Sequence, residues 1–337
     1  MCSRSAVLRA TVILLCSFYA LGGEPENAAI QTFTFEHQGS TIKATAYRGQ
    51  DGHWVPHGTW ISTLEGKRNG YREYAHGKLN GRVETYYMDY KGPQLSTVAT
   101  YKMGVRDGEF REAASEYTPE VVGHYAHGLK DGTWRVRSVK GAPLGQYEMK
   151  VGTGTEKEID LDGSVLSEAE IKDGFRHGEY KEWFEGNLRV EGSYFAMPES
   201  GYSVKDGRWI FRGFKPEGPQ ALIADITYAK GVPITGSGMV RLQRDPNHKT
   251  FSTAQQVVMK FTDGIMSLGD NPIQAFNGLF RMMGGAMTGN LEIRDGRPLN
   301  GQFDESTFKD GKVVGGWQRD GGASDYGIEI LNQHVKD

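Results

Sequence analysis

Bulky apolar residues alternate with polar ones in short runs along most of the chain, and glycine-rich segments separate these runs. Residues 132–136 (Gly-Thr-Trp-Arg-Val) and 178–183 (Gly-Glu-Tyr-Lys-Glu-Trp) are examples of the pattern. Such alternation, with aromatic and β-branched residues, is typical of strands that bury one face. Asn-Gly and Asp-Gly pairs between the runs favour tight hairpin turns. The sequence therefore predicts many short antiparallel strands.

The alternating pattern recurs with a period of 22 to 27 residues. Its clearest copies are residues 74–81 (YAHGKLNG), 101–108 (YKMGVRDG) and 125–132 (YAHGLKDG), and weaker copies occupy 147–154, 171–178 and 308–315. The glycines after the Asn, Asp or His of these and later units are predicted to be structural turn residues: Gly81, Gly108, Gly132, Gly178 and Gly207. A period of this length predicts stacked repeats, because one hairpin alone is only marginally stable.

The predicted fold class is all-β, an elongated antiparallel meander of repeated β-hairpins. Two strands per repeat would extend the sheet by roughly 10 Å. The predicted organisation is a signal peptide (1–23), N-terminal capping strands (24–56), hairpin repeats (57–238), an insertion with a helical hairpin (239–288), and C-terminal β repeats with a cap (289–337). Residues 326–331 are a candidate for one further strand in this cap.

The repeat motif is Tyr-x-x-Gly-x-x-[Asn/Asp]-Gly followed by x-aromatic, as in residues 101–110 and 125–134. It resembles the MORN-type repeats, in the variant found in bacterial proteins labelled YwqK-like antitoxins. The resemblance covers roughly residues 57–236, with echoes at 291–319. Two units depart from the motif. Glu156 stands where the aromatic residue is expected after Gly154, and residues 198–202 (Pro-Glu-Ser-Gly-Tyr) lengthen the unit before Gly207. The resemblance implies a MORN-like hairpin fold.

Residues 1–23 have the pattern of a secretory signal peptide, with Arg4 and Arg9 before an apolar run at 10–21. The run is shorter than the roughly 20 residues of a spanning helix. An uncleaved anchor, or a lipoprotein modified at Cys16, are the alternatives. Cleavage would remove both cysteines and change the net charge from −3 to −5. We therefore expect a secreted or periplasmic chain without a transmembrane span, and no nucleic-acid partner, since such partners favour basic patches.

Residues 250–286 interrupt the repeat pattern and predict a helical hairpin. Ser252 and Gln255 have the spacing of a capping box. Apolar residues then recur at helical spacing: Val258, Phe261, Ile265 and Met266, followed after Asn271-Pro272 by Ile273, Phe276, Leu279, Phe280 and Met283. The hairpin would cover or plug the sheet, or its methionine-rich surface would serve as a docking element. Met266, Phe280 and Met283 are its candidate partner-binding residues.

No local catalytic signature is present, so a non-catalytic protein without a cofactor is expected. His76 and His127 occupy the same repeat position, and a shared turn position explains the pair better than a metal site. Asp160 and Asp162 have the spacing that begins a calcium loop, but Ala169 stands where that loop needs a glutamate. Whether calcium binds there is left open by the sequence.

The chain contains six Trp, 16 Tyr and 15 Phe, so one sheet face would carry an aromatic ladder. A covered ladder would be core, whereas an exposed one would form a binding platform for protein or polysaccharide. Its candidate binding residues are Tyr74, Tyr101, Tyr125 and Trp134. The functional hypothesis is an exported protein-binding scaffold in the periplasm or at the cell surface. The alternative is an envelope carbohydrate-binding protein that uses the aromatic face.

Overall fold

The computed structural model describes residues 29–213, 222–244, 255–268, 278–283, 289–318, 331, 334 and 335. Nearly all of them lie in antiparallel strands of one sheet, which confirms the predicted all-β meander. The first eight strands are β1 (Gln31–His37), β2 (Ser40–Arg48), β3 (Trp54–Pro56), β4 (Gly58–Leu64), β5 (Lys67–Ala75), β6 (Lys78–Asp89), β7 (Gly92–Lys102) and β8 (Val105–Glu112).

The middle of the chain continues the same up-and-down order. Its strands are β9 (Glu120–Ala126), β10 (Leu129–Arg137), β11 (Pro143–Lys150), β12 (Thr153–Ile159), β13 (Val165–Lys172), β14 (Phe175–Phe184), β15 (Asn187–Met197) and β16 (Tyr202–Arg212). A short 3₁₀ turn, Pro198–Ser200, joins the last two. Each strand from β4 to β16 pairs with the next in the chain, so hairpin connections alternate between two edges of the sheet.

The C-terminal strands are β17 (Leu222–Ala229), β18 (Val232–Arg244), β19 (Gln255–Thr262), β20 (Ile265–Leu268), β21 (Gly278–Met283), β22 (Gly289–Arg294), β23 (Arg297–Phe303), β24 (Ser306–Lys309), β25 (Lys312–Gly315) and β26 (Trp317–Gln318). Among these C-terminal strands, two pairings depart from chain order. Strand β18 pairs with both β19 and β21, and β26 returns to pair with β16. These pairings bring the end of the described sheet back beside its middle.

One edge of the meander, which we call the turn edge, consists of two-residue turns from β5 to β14. In each turn both residues have positive φ, as in His76 (50°) with Gly77 (76°) and His127 (50°) with Gly128 (83°). This is the backbone of a type I′ hairpin turn. The shared turn position predicted for the two histidines is therefore confirmed. The opposite edge, which we call the loop edge, carries connections of varying length: 90–91, 113–119, 138–142, 160–164 and 185–186.

The placement of the predicted turn glycines was wrong. Gly81, Gly108, Gly132, Gly178 and Gly207 all have positive φ but lie inside strands β6, β8, β10, β14 and β16. In the first of these strands the pairing with β5 shifts between Arg72 and Tyr74, so Gly81 adjoins a bulge. A bulge requires the same backbone freedom as a turn, which is why glycine occurs at both.

In three repeats the residue before the bulge glycine links its repeat to the next one. The Asn80 side-chain oxygen accepts a hydrogen bond from the Met103 amide (3.1 Å), and Asp131 accepts one from the Val151 amide (2.8 Å). Asp206 does the same for the Lys230 amide. A parallel row of backbone bonds joins the turn glycines to the preceding repeat, for example Gly128 N–H to Arg106 C=O at 2.7 Å. The turn edge is thus fastened along its length.

The bulky residues that alternate along the strands form two buried clusters. The N-terminal cluster extends from β2 to β13 and includes Trp60, Trp134 and Leu331. The C-terminal cluster extends from β15 to β24 around Trp209, and Tyr180 packs against both. The Leu331 carbonyl accepts a hydrogen bond from the Val335 amide, and the Leu331 side chain lies in the N-terminal cluster, so this C-terminal residue contacts the N-terminal half of the sheet. The strand predicted for 326–331 does not include Leu331, and residues 326–330 lie outside the described range.

The predicted helical hairpin is wrong wherever the structure describes it. Residues 255–262 and 265–268 are strands β19 and β20, and residues 278–283 are strand β21. Phe261-Thr-Asp263-Gly264 is another repeat turn, in which both Asp263 and Gly264 have positive φ. Met259 and Phe261 are buried at alternate positions, as in a strand with one buried face. The prediction was wrong because the apolar spacing of this segment fits both a helix and a strand. Residues 269–277 and the capping box at 252–254 lie outside the described range.

Within the described part of the chain, no helix has the length and apolar character needed to span a membrane. The predicted signal peptide, residues 1–23, lies outside that part.

Candidate functional site

The buried face of the sheet carries a row of cations, each above an aromatic ring. Within a repeat, a Lys or Arg lies four residues before the aromatic residue, and both point to the same side. The pairs, with cation-to-ring distances, are Arg106–Phe110 (5.5 Å), Lys130–Trp134 (4.7 Å), Arg176–Tyr180 (5.0 Å) and Lys205–Trp209 (4.3 Å). Contacts of this kind stabilise a cation whose access to water is reduced.

Three of these cations also have carboxylate partners. Lys130 pairs with Glu156, and Lys205 pairs with Asp304. Burial raises the pKa of the Asp304 carboxyl, while the adjacent Lys205 opposes that rise. The Arg176 guanidinium lies 3.6 Å from the carboxylate of Glu305, which accepts a hydrogen bond from Tyr194. Burial raises the pKa of the Tyr194 hydroxyl, and the negative charge of Glu305 raises it further by a smaller amount.

A cleft of about 410 Å³ crosses the same face from strand β8 to strand β14. Its volume lies within the range of small-ligand sites. Aromatic and aliphatic side chains form its floor: Phe110, Tyr125, Trp134, Tyr147, Met149, Ile159 and Ile171. Burial raises the pKa of the Tyr147 hydroxyl above its ordinary value. At the loop edge the cleft reaches Tyr117 and Asp160, and at the turn edge it reaches Arg176 and Trp317.

The four aromatic residues predicted as a binding platform belong to the core. Tyr74, Tyr101, Tyr125 and Trp134 are only 1–4% exposed. Tyr125 and Trp134 are brought together edge to face, with ring centroids 5.2 Å apart, whereas Tyr74 packs on Trp60. These side chains are therefore covered, as in the core alternative of the sequence analysis, and two of them line the cleft.

Two of the three residues predicted on the helical hairpin as partner-binding residues lie in the core. Met266 is fully buried and Phe280 is 5% exposed, both within the C-terminal cluster. Met283 lies in strand β21. A docking role for Met266 and Phe280 is contradicted by this burial, because a partner could not reach them without opening the cluster.

Sequence reasoning missed the exposed aromatic residues of the loop edge. Four aromatic side chains are exposed within the described part of the chain: Tyr87, Tyr90, Tyr117 and Phe184. Tyr90 and Tyr117 lie in loop-edge connections, Phe184 ends β14 beside the next one, and Tyr87 lies three residues before Tyr90. Their positions outside the repeat motif were the available signal, because a tyrosine in a connection has no place in the alternating core pattern.

The acidic segment considered for calcium forms the hairpin connection between β12 and β13. The Asp160 carboxylate accepts a hydrogen bond from the Leu161 amide (2.7 Å), and the Asp162 carboxylate accepts one from the Ser164 amide (2.8 Å). The hydrogen bonds from Ser164 lower the pKa of Asp162. Among the described residues, no group of three or more His, Cys, Asp or Glu side chains is placed to hold a metal ion.

Comparison with known proteins adds no relative. Neither the known protein-family models nor the curated proteins contain a match to the chain. The MORN-type resemblance therefore stays a prediction from the repeat motif.

Proposed function

We propose that the protein is an exported, non-catalytic repeat scaffold that binds a protein partner along its loop edge. The observation that carries this proposal is the position of the four exposed aromatic side chains, Tyr87, Tyr90, Tyr117 and Phe184, which all lie at that edge. Tyrosine and phenylalanine are enriched at protein interfaces, and tyrosine is among the residues that supply most of their binding energy. Successive loop-edge connections are two strands apart, so they present side chains roughly 10 Å from one another.

The proposed location outside the cytoplasm rests on the signal-peptide pattern of residues 1–23. The proposed elongated shape of the sheet rests on the repeat period, and the MORN-type resemblance rests on the repeat motif. The carbohydrate alternative loses its main support, because sugars stack on exposed rings and the rings of Tyr74, Tyr101 and Tyr125 are buried. Their burial directs the search for a partner from the sheet face to its loop edge.

The test is capture of a partner from envelope extract by immobilised protein that begins at residue 24, with polysaccharide digested beforehand. The loop-edge variant carries Tyr90→Ser and Phe184→Ser. The matched control carries Met103→Ser and Val151→Ser, which change exposed apolar residues at the turn edge. We expect one protein to be retained in stoichiometric amount by wild type and control, and about tenfold less by the loop-edge variant.

Three results would contradict the proposal. Equal loss of the captured protein in both variants would mean that binding does not depend on the loop edge. Retention of a glycan, abolished by digestion, would favour the carbohydrate alternative. Absence of any stoichiometric protein in the wild-type capture would remove the scaffold role.

A further inference from the structure

We propose that Lys205 and Asp304 react with each other in the folded protein and form an isopeptide bond, a covalent amide between their side chains. Lys205 lies in strand β16, and Asp304 lies 99 residues further along the chain, in the turn between β23 and β24. The Lys205 side-chain nitrogen is in direct contact with the Oδ2 atom of Asp304. This modification site does not rest on the proposed function.

The first supporting observation is the burial of Lys205. Only 5% of this residue is exposed, which is unusual for a lysine. Its Nζ atom lies 4.3 Å from the centroid of the Trp209 ring and 4.9 Å from that of Phe211, so aromatic rings cover the nitrogen. Desolvation in an apolar pocket is one of the ways in which proteins make a lysine amine nucleophilic.

The acidic partner is set up in the complementary way. Burial, and to a lesser extent the negative charge of Glu305, raises the pKa of the Asp304 carboxyl, although the charge of Lys205 opposes the rise. A raised pKa favours the neutral carboxylic acid, which an amine attacks more readily than a carboxylate. Glu305 has partners of its own, because it accepts a hydrogen bond from Tyr194 (2.5 Å) and lies 3.6 Å from Arg176.

The turn that carries Asp304 departs from the repeat pattern. Thirteen described non-glycine residues have positive φ, and twelve of them are followed by glycine. The exception is Asp304 (φ 53°), which is followed by Glu305. The repeat pattern does not explain this acidic pair, and its position places a second carboxylate next to the one that contacts the buried lysine.

The proposed reaction is a condensation. Transfer of one proton from the Lys205 ammonium to the Asp304 carboxylate makes both groups neutral, and a buried site favours neutral forms. The amine nitrogen then attacks the Cγ carbon of Asp304. A carbon–nitrogen bond forms, the bond from Cγ to the hydroxyl oxygen breaks, and the hydroxyl leaves with one amine proton as water. No oxidant, reductant or other reactant is consumed.

An earlier repeat contains a similar pair in a more open position. Lys130 lies over the ring of Trp134 (4.7 Å) and contacts the carboxylate of Glu156. These two side chains are 17% and 31% exposed, against 7% and 18% for Lys205 and Asp304. Water that reaches the first pair stabilises its charged forms. We therefore expect Lys130 and Glu156 to remain an ion pair.

The bond would fasten the end of the described sheet to its middle. Strand β16, which carries Lys205, also pairs with the returning strand β26. The two cysteines of the chain are Cys2 and Cys16, so no disulfide can join the described strands to one another. A covalent link that closes a loop of this length restricts the unfolded chain and thereby stabilises the folded one.

The test is mass spectrometry of purified protein that begins at residue 24. Wild type should weigh less than its sequence by one water molecule. Because an Asp-Gly pair can also lose water by forming a succinimide, digestion with trypsin under denaturing conditions locates the bond. Trypsin does not cleave after an acylated lysine, so we expect a branched peptide that joins residues 190–208 to residues 295–309. No branched peptide should join Lys130 to Glu156.

A pair of matched variants identifies the reacting lysine. Lys205→Arg keeps the positive charge, but its guanidinium stays protonated and does not attack a carboxyl group. Lys130→Arg makes the same change at the equivalent position of the earlier repeat. We expect Lys205→Arg to have its full sequence mass and Lys130→Arg to remain lighter by one water molecule.

The proposal is overturned if wild type has its full sequence mass and yields the separate peptides 190–205 and 295–309, because the pair is then an ion pair only. That measurement needs no variant, so it decides the question even if Lys205→Arg fails to fold. A loss of water that persists in Lys205→Arg, or that disappears in Lys130→Arg, would also overturn the proposal. None of these measurements involves a partner, so failure here leaves the loop-edge proposal standing, and the reverse also holds.

Discussion

Replacing Asp131 tests whether the Asp-Gly pair of the repeat links neighbouring hairpins. The half-buried carboxylate accepts a hydrogen bond from the Val151 amide, 20 residues further along the chain, at 2.8 Å. Asp131→Ala removes this acceptor. Asp131→Asn keeps a side-chain oxygen in the same place, and Asn occupies the equivalent position in two other repeats, Asn80 and Asn300, with the same kind of bond.

The expected cost follows from the environment of the bond. A hydrogen bond contributes about 0.5–1.5 kcal/mol net, and the exposed position of Val151 allows water to replace the lost acceptor. We therefore expect Asp131→Ala to lower the free energy of unfolding by about 1 kcal/mol, or Tm by about 2 °C. Asp131→Asn should stay within about 0.5 kcal/mol of wild type.

Two measurements check this prediction. Urea unfolding followed by tryptophan fluorescence gives the change in free energy, and native-state hydrogen exchange reports on the Val151 amide itself. In Asp131→Ala that amide should exchange about fivefold faster, the factor that corresponds to 1 kcal/mol. If Asp131 stabilised only a local turn at residues 131–132, its replacement would leave the exchange rate of the distant Val151 amide unchanged. Equal exchange of Val151 in wild type and Asp131→Ala would therefore refute the link between repeats.

Two further predictions concern packing and pH. Gly123→Ala would place a methyl group 2.3 Å from the buried Trp134 ring, so urea unfolding should show that the free energy of unfolding falls by about 1–3 kcal/mol. The control is Gly315→Ala, whose new methyl group would have its nearest neighbour 3.2 Å away and should lower the free energy of unfolding by less than about 1 kcal/mol. Equal losses in the two variants would contradict this packing. The hydrogen bonds from Arg208 lower the pKa of Asp225 below 3.8, so the pair stabilises the fold above that pH and loses its effect as pH falls through the lowered value. The stability difference between wild type and Arg208→Gln should therefore narrow below pH 3.8, and a constant difference would contradict the assignment.

The sequence predicted the strands and the repeat because both are local patterns. It placed the turns wrongly because each unit contains two sites that need positive φ, the turn at Gly77 and the bulge at Gly81 in the first case. Of the two sites, Asn80-Gly81 has the residue pair that is more typical of a two-residue hairpin turn. Its role depends on the Met103 amide of the next hairpin, and that contact exists only after the repeats stack.

The prediction of a helical hairpin was wrong for a related reason. Apolar residues at Val258, Phe261 and Ile265 fit the helical period, whereas the buried set of the strand is Met259 and Phe261. The segment Phe261-Thr-Asp-Gly264 repeats the turn chemistry of earlier units, a signal that outweighs short-range periodicity in a repeat protein. The cleft could not be predicted, because its lining comes from seven strands and from Trp317, whose position depends on the return of β26 to β16.

The contrast between the two sheet edges supports placing function at the loop edge. Every turn-edge connection from β5 to β14 has two residues, and its glycine donates to a carbonyl of the preceding repeat, as Gly128 does to Arg106. An inserted residue there would break a bond between repeats. The loop-edge connections in the same region vary from two residues at 90–91 to seven at 113–119. The length of a connection thus varies at the edge that has fewer backbone bonds between repeats. The turn edge, fastened by its backbone bonds, holds these variable segments in register. In such an arrangement, loops on a fixed scaffold can acquire a partner.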